Sequence, residues 1–585
     1  MDPVKSAVSR DELRIAIGQK LMIDIRYFDD EDLSKSSENQ LIGYQSSHCN
    51  RAGVTKLPTQ LGRLLSQLNI GGVILFAENC QSKSQISALT QAIQHSASQS
   101  QAAIPALISI DQEGGRVTRL PKEKWPTFSG NMAIGATCDS STEFAYENGL
   151  LIGEQLSELG INVNHSPTVD VNINHENPVI NVRSFGDDPK MVGKLGIATA
   201  QGLKSQGILA TFKHFPGHGD TQTDSHTGLP CVTHSKSLVE SVDLMPFQEA
   251  IDAGQCELIM TAHIQYPALD DSIIINKHGQ KMIRPATLSR TIITEKLRQE
   301  MGFNGLVITD ALDMASISEF FTPLEAVLET FRAGVDIALM PFKVHHPDGI
   351  KRFYQLVDSL VEHIISDQAL TSEVMASYRR ILKIKMDIPQ STGVMNYEKH
   401  REFERRLALR SIINLSSHQT LDTAQIESCS IVMPNLEQAL ALKTGIERQS
   451  AGCLDIHCLI LPQLSEIKAR PNHLVIIGIE DKRSVVDLGG MDDIDVMSQQ
   501  AIAPLSVIDS LREHKELGAG SVFVSLKAPY HCQPYISAAS ISLASFDANC
   551  YQDNSGQWCG AAFYALAQVL FSDVIATGKL PITID

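Results

Sequence analysis

The chain contains no uncharged stretch of about 18 apolar residues, so nothing in it reads as a membrane-spanning helix. Its 11 cysteines are scattered and include no C-x-x-C pair. That argues against a disulfide framework and favours reduced thiols in a cytoplasmic protein. Residues 1–20 carry charges at Asp2, Lys5, Arg10, Asp11, Glu12 and Arg14 and no apolar core, so no secretory leader is expected. There is no excess of positive charge. With 49 basic and 67 acidic residues the formal net charge is −18, which argues against non-specific binding to nucleic acid or an anionic membrane. Internal repeats and low-complexity tracts are also missing.

What is present is 585 residues, 43% of them apolar and 20% charged. That is an ordinary folded composition, and the length calls for two or three domains. Short apolar runs recur at 21–25, 72–76, 106–111, 161–169, 208–212, 258–262, 306–310 and 336–340. They do not alternate, as expected of strands covered on both faces. Helical patterning lies between them, at 83–95, 142–159, 191–206, 236–253, 287–301 and 323–332. Eight such runs alternating with helices predict a (β/α)8 TIM-like barrel, with a doubly wound open sheet as the competing arrangement. Asp111, Lys213, His214, His263 and Asp310 stand at the ends of their runs, where a barrel places its active site.

A helical stretch over 350–386 follows, and Ile388-Pro389-Gln390-Ser391-Thr392-Gly393 breaks it. The expected organisation is a catalytic barrel over 1–388, a charged connecting helix within 389–410 and a smaller α/β (αβα) sandwich over 411–585. Strands of that sandwich are expected at 430–433, 458–461, 473–477, 521–526 and 541–545. The second domain shows no dense polar cluster at its strand ends, so a stabilising or assembling role is expected of it. Residues 27–60 read as an acidic, Ser-rich surface insertion.

The loop after the run at 208–212 packs Lys213, three histidines (His214, His218, His226) and two carboxylates (Asp220, Asp224) around Pro216, Gly217 and Gly219. In Asp224-Ser225-His226 a carboxylate can orient an imidazole, a pair suited to general acid/base work. The glycines suggest mobility. A structural polar loop is the bland alternative, and a zinc site built from these histidines with Asp220 or Asp224 is another, opposed by the cation on Lys213. Asp310 is either a carboxylate pointing into the barrel mouth or an N-cap for the next helix. Asp111, followed by Gly114, Gly115, Arg116 and Arg119, suits a polyhydroxyl ligand or a capped turn. Arg183 offers a further cation before Asp187-Asp188-Pro189.

Lys213-His214-Phe215-Pro216-Gly217-His218-Gly219, followed by Asp224-Ser225-His226, resembles the signature of the bacterial β-N-acetylglucosaminidases of glycoside hydrolase family 3. Asp111-Gln112-Glu113-Gly114-Gly115-Arg116-Val117-Thr118-Arg119, Met260-Thr261-Ala262-His263 and Thr309-Asp310-Ala311-Leu312 are similar to other segments of that family, in the same order. Ala528-Pro529-Tyr530 and Gly578-Lys579-Leu580-Pro581-Ile582-Thr583 are similar to landmarks of the sandwich that follows the barrel in many members.

The resemblance implies retaining removal of a terminal GlcNAc, with Asp310 as nucleophile and His226 as acid/base assisted by Asp224. It gives Asp111, Arg119, Arg183, Lys213 and His214 the task of holding the sugar. It implies no metal and no organic cofactor. The expected partner is a GlcNAc-terminated carbohydrate, either a chitooligosaccharide or a cell-wall muropeptide fragment. A homodimer stays open. Retaining hydrolysis needs a nucleophilic carboxylate and a proton shuttle, and an imidazole can replace the usual second carboxylate. A β-glucosidase or β-xylosidase on the same scaffold is the rival enzyme, opposed by Asp224-Ser225-His226. A catalytically inactive sugar-binding protein is the other rival, opposed by intact Asp310, Asp224 and His226. Glu113 and His263 are the reserve candidates for the acid.

Overall fold

The computed structural model describes residues 8–29, 52–137, 141–221, 229–388, 394–416, 421, 423–450, 454–480, 504–517 and 520–584. Eight parallel strands come from the eight apolar runs: β1 (Leu21–Asp24), β2 (Gly72–Leu75), β3 (Leu107–Ile110), β4 (Val163–Asn164), β5 (Leu209–Phe215), β6 (Leu258–Thr261), β7 (Leu306–Thr309) and β8 (Ala338–Leu339). β1 to β7 pair in sequence order, and β8 pairs with β1. The Ile308–Ile337 bridge and a Thr309 N–H donating to the Ile337 carbonyl at 3.0 Å close the ring. The result is the TIM-like barrel.

Alternate side chains of these strands fill the interior, among them Met22, Leu107, Val163, Leu258, Leu306 and Ile337. The opposite faces pack against the surrounding helices, for example Val73, Ile108 and Val307. Strands buried on both sides account for runs that do not alternate. Local signals bound the helices. Pro323–Ala333 opens on a reciprocal cap between Thr322 and Glu325 and closes on Gly334, whose φ of 98° suits glycine.

Three expectations need correction. The run at 161–169 pairs as a regular strand only over Val163–Asn164, because Pro167 has no N–H to donate. The helix expected over 236–253 is broken into Lys236–Leu238, a wider turn over Val239–Asp243 and Met245–Asp252. Pro246 cannot donate to a carbonyl four residues back, and the Leu244 N–H reaches five residues to Val239 instead. The stretch at 350–386 is two helices, Pro347–Ile365 and Gln368–Asp387, because the Asp367 side chain caps the second at the Leu370 N–H. Helices Arg10–Gln19 and Thr59–Gln67 and the hairpin of Ile273–Ile275 with Lys281–Ile283 add to the expected elements. Of the Ser-rich insertion, residues 30–51 lie outside the described residues, and Tyr27 bridges to Gly53 across its ends.

The second domain is a six-stranded sheet of β9 (Ile413–Asn414), β10 (Ser428–Met433), β11 (Asp455–Ile460), β12 (His473–Ile479), β13 (Ser521–Ser525) and β14 (Ile541–Ala544). The order is β9-β14-β13-β12-β10-β11, parallel except for β9. One face packs on helices Leu436–Gln449 and Ala561–Phe571, the other on Pro504–Glu516 and Gln533–Ala538. This is the expected αβα sandwich, with the edge strand β9 added. Helix Tyr397–Ser411 serves both cores, Phe403 and Leu407 in the first and Ala408 in the second. A separate apolar cluster joins the domains: Met132, Ala133 and Val182 from the barrel loops against Ala528, Tyr530, Phe546 and Ile582.

Candidate active site

The loops at the carboxyl ends of β1 to β8 enclose a cavity. Asp111, Arg119, Arg183, Lys213, His214 and Asp310 all line it. These are the six expected site residues that fall within the described chain. Asp224 and His226 lie outside the described residues.

Asp310 follows β7 directly. Its N–H donates to the Thr261 carbonyl at 3.1 Å, and one carboxylate oxygen accepts the Ala311 N–H at 2.8 Å. The side chain is partly exposed at the cavity. The helix beyond, Ala315–Ser318, has Met314 at its cap position, so the N-cap reading of Asp310 does not hold. His263, at the end of β6, supports this strand end from behind. Its Nε2 lies 3.0 Å from the Ala311 carbonyl and its Nδ1 2.8 Å from the Thr287 hydroxyl. Both ring nitrogens are thus engaged, and His263 does not line the cavity.

Opposite polarity is concentrated beside Asp310. Lys213 Nζ lies 2.8 Å from Asp111 Oδ1 and 2.6 Å from Glu113 Oε1. Arg183 forks the same Glu113, with Nη2 at 2.8 Å and Nε at 3.0 Å. Burial alone would raise both acids. Against that, Lys213 with His165 and Arg119 holds Asp111 well below the carboxylate range. Arg183 and Lys213 together hold Glu113 at about 2. Held between two cations, Glu113 is disfavoured as the reserve proton donor. Arg119 lines the cavity too, and its Nε has no hydrogen-bond partner among the described residues. Beneath the cluster, burial lowers His165 to about 4 despite the nearby carboxylate of Asp111.

His214 is oriented by Asp170. The carboxylate takes the His214 N–H at 3.0 Å, the His214 Nδ1 at 2.7 Å and the His218 N–H at 2.7 Å. That leaves the His214 Nε2 3.5 Å from Arg183. His218 turns its Nδ1 to the Thr221 hydroxyl at 2.6 Å, and burial, then His214, pushes it down to about 4. Asp220 pairs instead with His234 at 2.7 Å. Among the described residues no three His, Cys, Asp or Glu side chains gather as a metal site would need.

The glycines of this loop serve close packing where the chain is described. A Cβ on Gly219 would sit 1.7 Å from the Val171 carbonyl oxygen. The Gly217 carbonyl accepts from the buried Tyr266 hydroxyl at 2.7 Å.

Sequence reasoning missed Asp170 and the Asp24–His345 pair, which meets at 2.7 Å on the far side of the same cavity. Both aspartates carry the signal used for Asp111 and Asp310. Asp24 ends β1, and Asp170 follows the run at 161–169.

Residues 34–384 match the model of the glycosyl hydrolase family 3 N-terminal domain. The beta-hexosaminidase A of Pseudoalteromonas piscicida is 40% identical, over 97% of this chain and 96% of its own length. The beta-hexosaminidase of Tolumonas auensis is 34% identical over 48% of this chain and 79% of its own. Among solved structures, a glycoside hydrolase family 3 beta-N-acetylglucosaminidase from Paenibacillus sp. aligns over 98% of both chains, with a TM-score of 0.72 and 26% identity.

Proposed function

The chain belongs to glycosyl hydrolase family 3, and from that premise we propose that it is an exo-acting, retaining β-N-acetylglucosaminidase. The observation that carries the reading is the cavity itself, where Asp310 shares one wall-to-wall space with Asp111, Arg119, Arg183, Lys213 and His214. The full-length likeness to a beta-hexosaminidase supports the aminosugar substrate.

In this reading Asp310 attacks the anomeric carbon and forms a glycosyl ester. Water then releases the sugar with its configuration retained. Asp111 accepts hydrogen bonds from sugar hydroxyls, while Arg119, Arg183, Lys213 and His214 supply donors. His226, oriented by Asp224, gives a proton to the leaving oxygen and takes one from the incoming water. The substrate is a chitooligosaccharide or a muropeptide fragment ending in GlcNAc. A cytoplasmic setting belongs to the same reading, supported by the eight described cysteines standing as free thiols.

Turnover of p-nitrophenyl β-GlcNAc should far exceed that of the β-glucoside and β-xyloside. Trapping with a 5-fluoro GlcNAc analogue, then peptide mapping, should label Asp310. A label elsewhere, or an inverted first product, would overturn the mechanism.

A further inference from the structure

No side chain of the second domain lines the cavity among the described residues, yet two of them touch the segments that carry its charged pair. Arg183 ends a single turn, Asn181–Arg183, whose first residue sits at φ 43°. A non-glycine residue at that angle needs its surroundings to hold it. Asn172 supplies the hold, its Oδ1 accepting the Asn181 N–H at 3.1 Å. The same amide donates through Nδ2 to the Tyr530 hydroxyl at 2.7 Å. Tyr530 comes from the second domain. It is buried, stacks on His175 with ring centres 4.8 Å apart and packs with Val182 of the turn itself.

The second contact is on the Glu113 side. Asn549 of the second domain donates to the Gly115 carbonyl at 2.9 Å and also bonds Lys122. Gly114 and Gly115 form a left-handed turn, φ 94° and 56°, directly after Glu113. The two members of the Glu113–Arg183 fork are therefore backed by separate hydrogen bonds from one neighbouring domain.

We propose that Tyr530 and Asn549 are positioning residues for the reaction: through Asn172–Asn181 and through Gly115 they set the place of Arg183 and Glu113, and so the affinity of the sugar site. This rests on the reading of Arg183 as a sugar-binding group. The phenol accepts from Asn172 and thereby fixes which amide atom faces Asn181. A phenylalanine would keep the stack and the apolar contacts but leave the buried Asn172 N–H without that acceptor. The turn then gains freedom, and bound sugar loses a pre-set partner.

The test compares Tyr530→Phe, Asn549→Ala and Arg183→Ala in the full-length enzyme, using p-nitrophenyl β-GlcNAc and thermal unfolding. Tyr530→Phe and Asn549→Ala should each raise KM about fivefold or more while kcat stays within about twofold. Combining Tyr530→Phe with Arg183→Ala should add nothing to the KM of Arg183→Ala, since the relay acts only through that guanidinium. Should Tyr530→Phe fold poorly, Asn549→Ala carries the same expectation. If Arg183→Ala raises KM but neither second-domain variant does, this inference falls and the sugar-site reading stands. If Arg183→Ala itself leaves KM unchanged, the sugar-site reading of Arg183 falls, and the inference with it. Equal losses in Tyr530→Phe with and without Arg183 would show general destabilisation and would also overturn it.

Discussion

Glu113 and Arg183 meet in a two-pronged ion pair at 2.8 and 3.0 Å, and Glu113 is also 2.6 Å from Lys213. All three side chains are nearly closed to solvent. One buried carboxylate thus anchors both cations beside Asp310. Its sequence neighbours, Gly114 and Gly115, allow the chain to turn away at once and send Arg119 back to the same cavity.

A pH signature follows from that anchor. Glu113 has a folded pKa of about 2 against an ordinary value of 4.5. A depressed carboxylate adds stability that is complete above about pH 4.5 and is lost as the pH falls towards about 2. Glu113→Gln removes this titration and leaves two buried cations short of a counter-charge. The variant should be less stable at pH 7 by about 3 kcal/mol or more, the usual cost of breaking a buried pair. The gap should shrink as the pH drops from about 4.5 to about 2. Urea unfolding across that range checks it, and a gap independent of pH would refute the ionised state of Glu113.

Asp310→Asn keeps size and backbone contacts but removes the nucleophile. Because the side chain is partly exposed at a strand end, the melting temperature should stay within a few degrees. Turnover should fall at least about a thousandfold, ~4 kcal/mol in the barrier. Residual activity within about tenfold of the parent would place the nucleophile elsewhere. The melting curve separates loss of chemistry from loss of fold.

Chelation provides a different check. Lys213 Nζ occupies the position between Asp111 and Glu113 that a bound cation would compete for, and Asp170 holds His214 and the His218 N–H. Prolonged treatment with EDTA should leave turnover unchanged within about twofold, and elemental analysis should find zinc well below one per chain. Loss of activity restored by added zinc would revive a metallohydrolase.

Much of the barrel was legible because its strands are covered on both faces, so that most of them read as short, largely apolar runs. Asp111, Lys213, His214 and Asp310 could be read because they stand at the ends of such runs, while Arg119 and Arg183 were read from the loop segments that follow. Asp170 follows the run at 161–169 and so carried the same signal, but nothing in the sequence showed that it would hold His214 and the His218 N–H. The two-residue edge strand β9 has too few side chains to show a pattern, and it is defined by its partners Ala544 and Leu543. Nothing in the sequence could show the Tyr530–Asn172 bond, which joins positions 358 residues apart and depends on how two domains dock.

The proton shuttle is the part of the reaction on which the described structure bears by elimination. Glu113 is held ionised by Arg183 and Lys213. His263 has both nitrogens engaged, and burial lowers His218 to about 4. Glu113 and His218 are thus disfavoured as acids near neutral pH and His263 does not line the cavity; we propose His226 with Asp224 as the pair to test. His226→Ala should slow glycosides with poor leaving groups most, since those need a proton as the bond breaks, and activated aryl glycosides least. Asp224→Ala should show the same dependence. The double variant should be little worse than either single one, as for groups that work together. A plot of log kcat/KM against leaving-group pKa reads all three. The slope should be steep in every variant and shallow in the parent. Parallel plots for parent and His226→Ala would mean that another residue donates the proton, and the assignment of His226 would be lost.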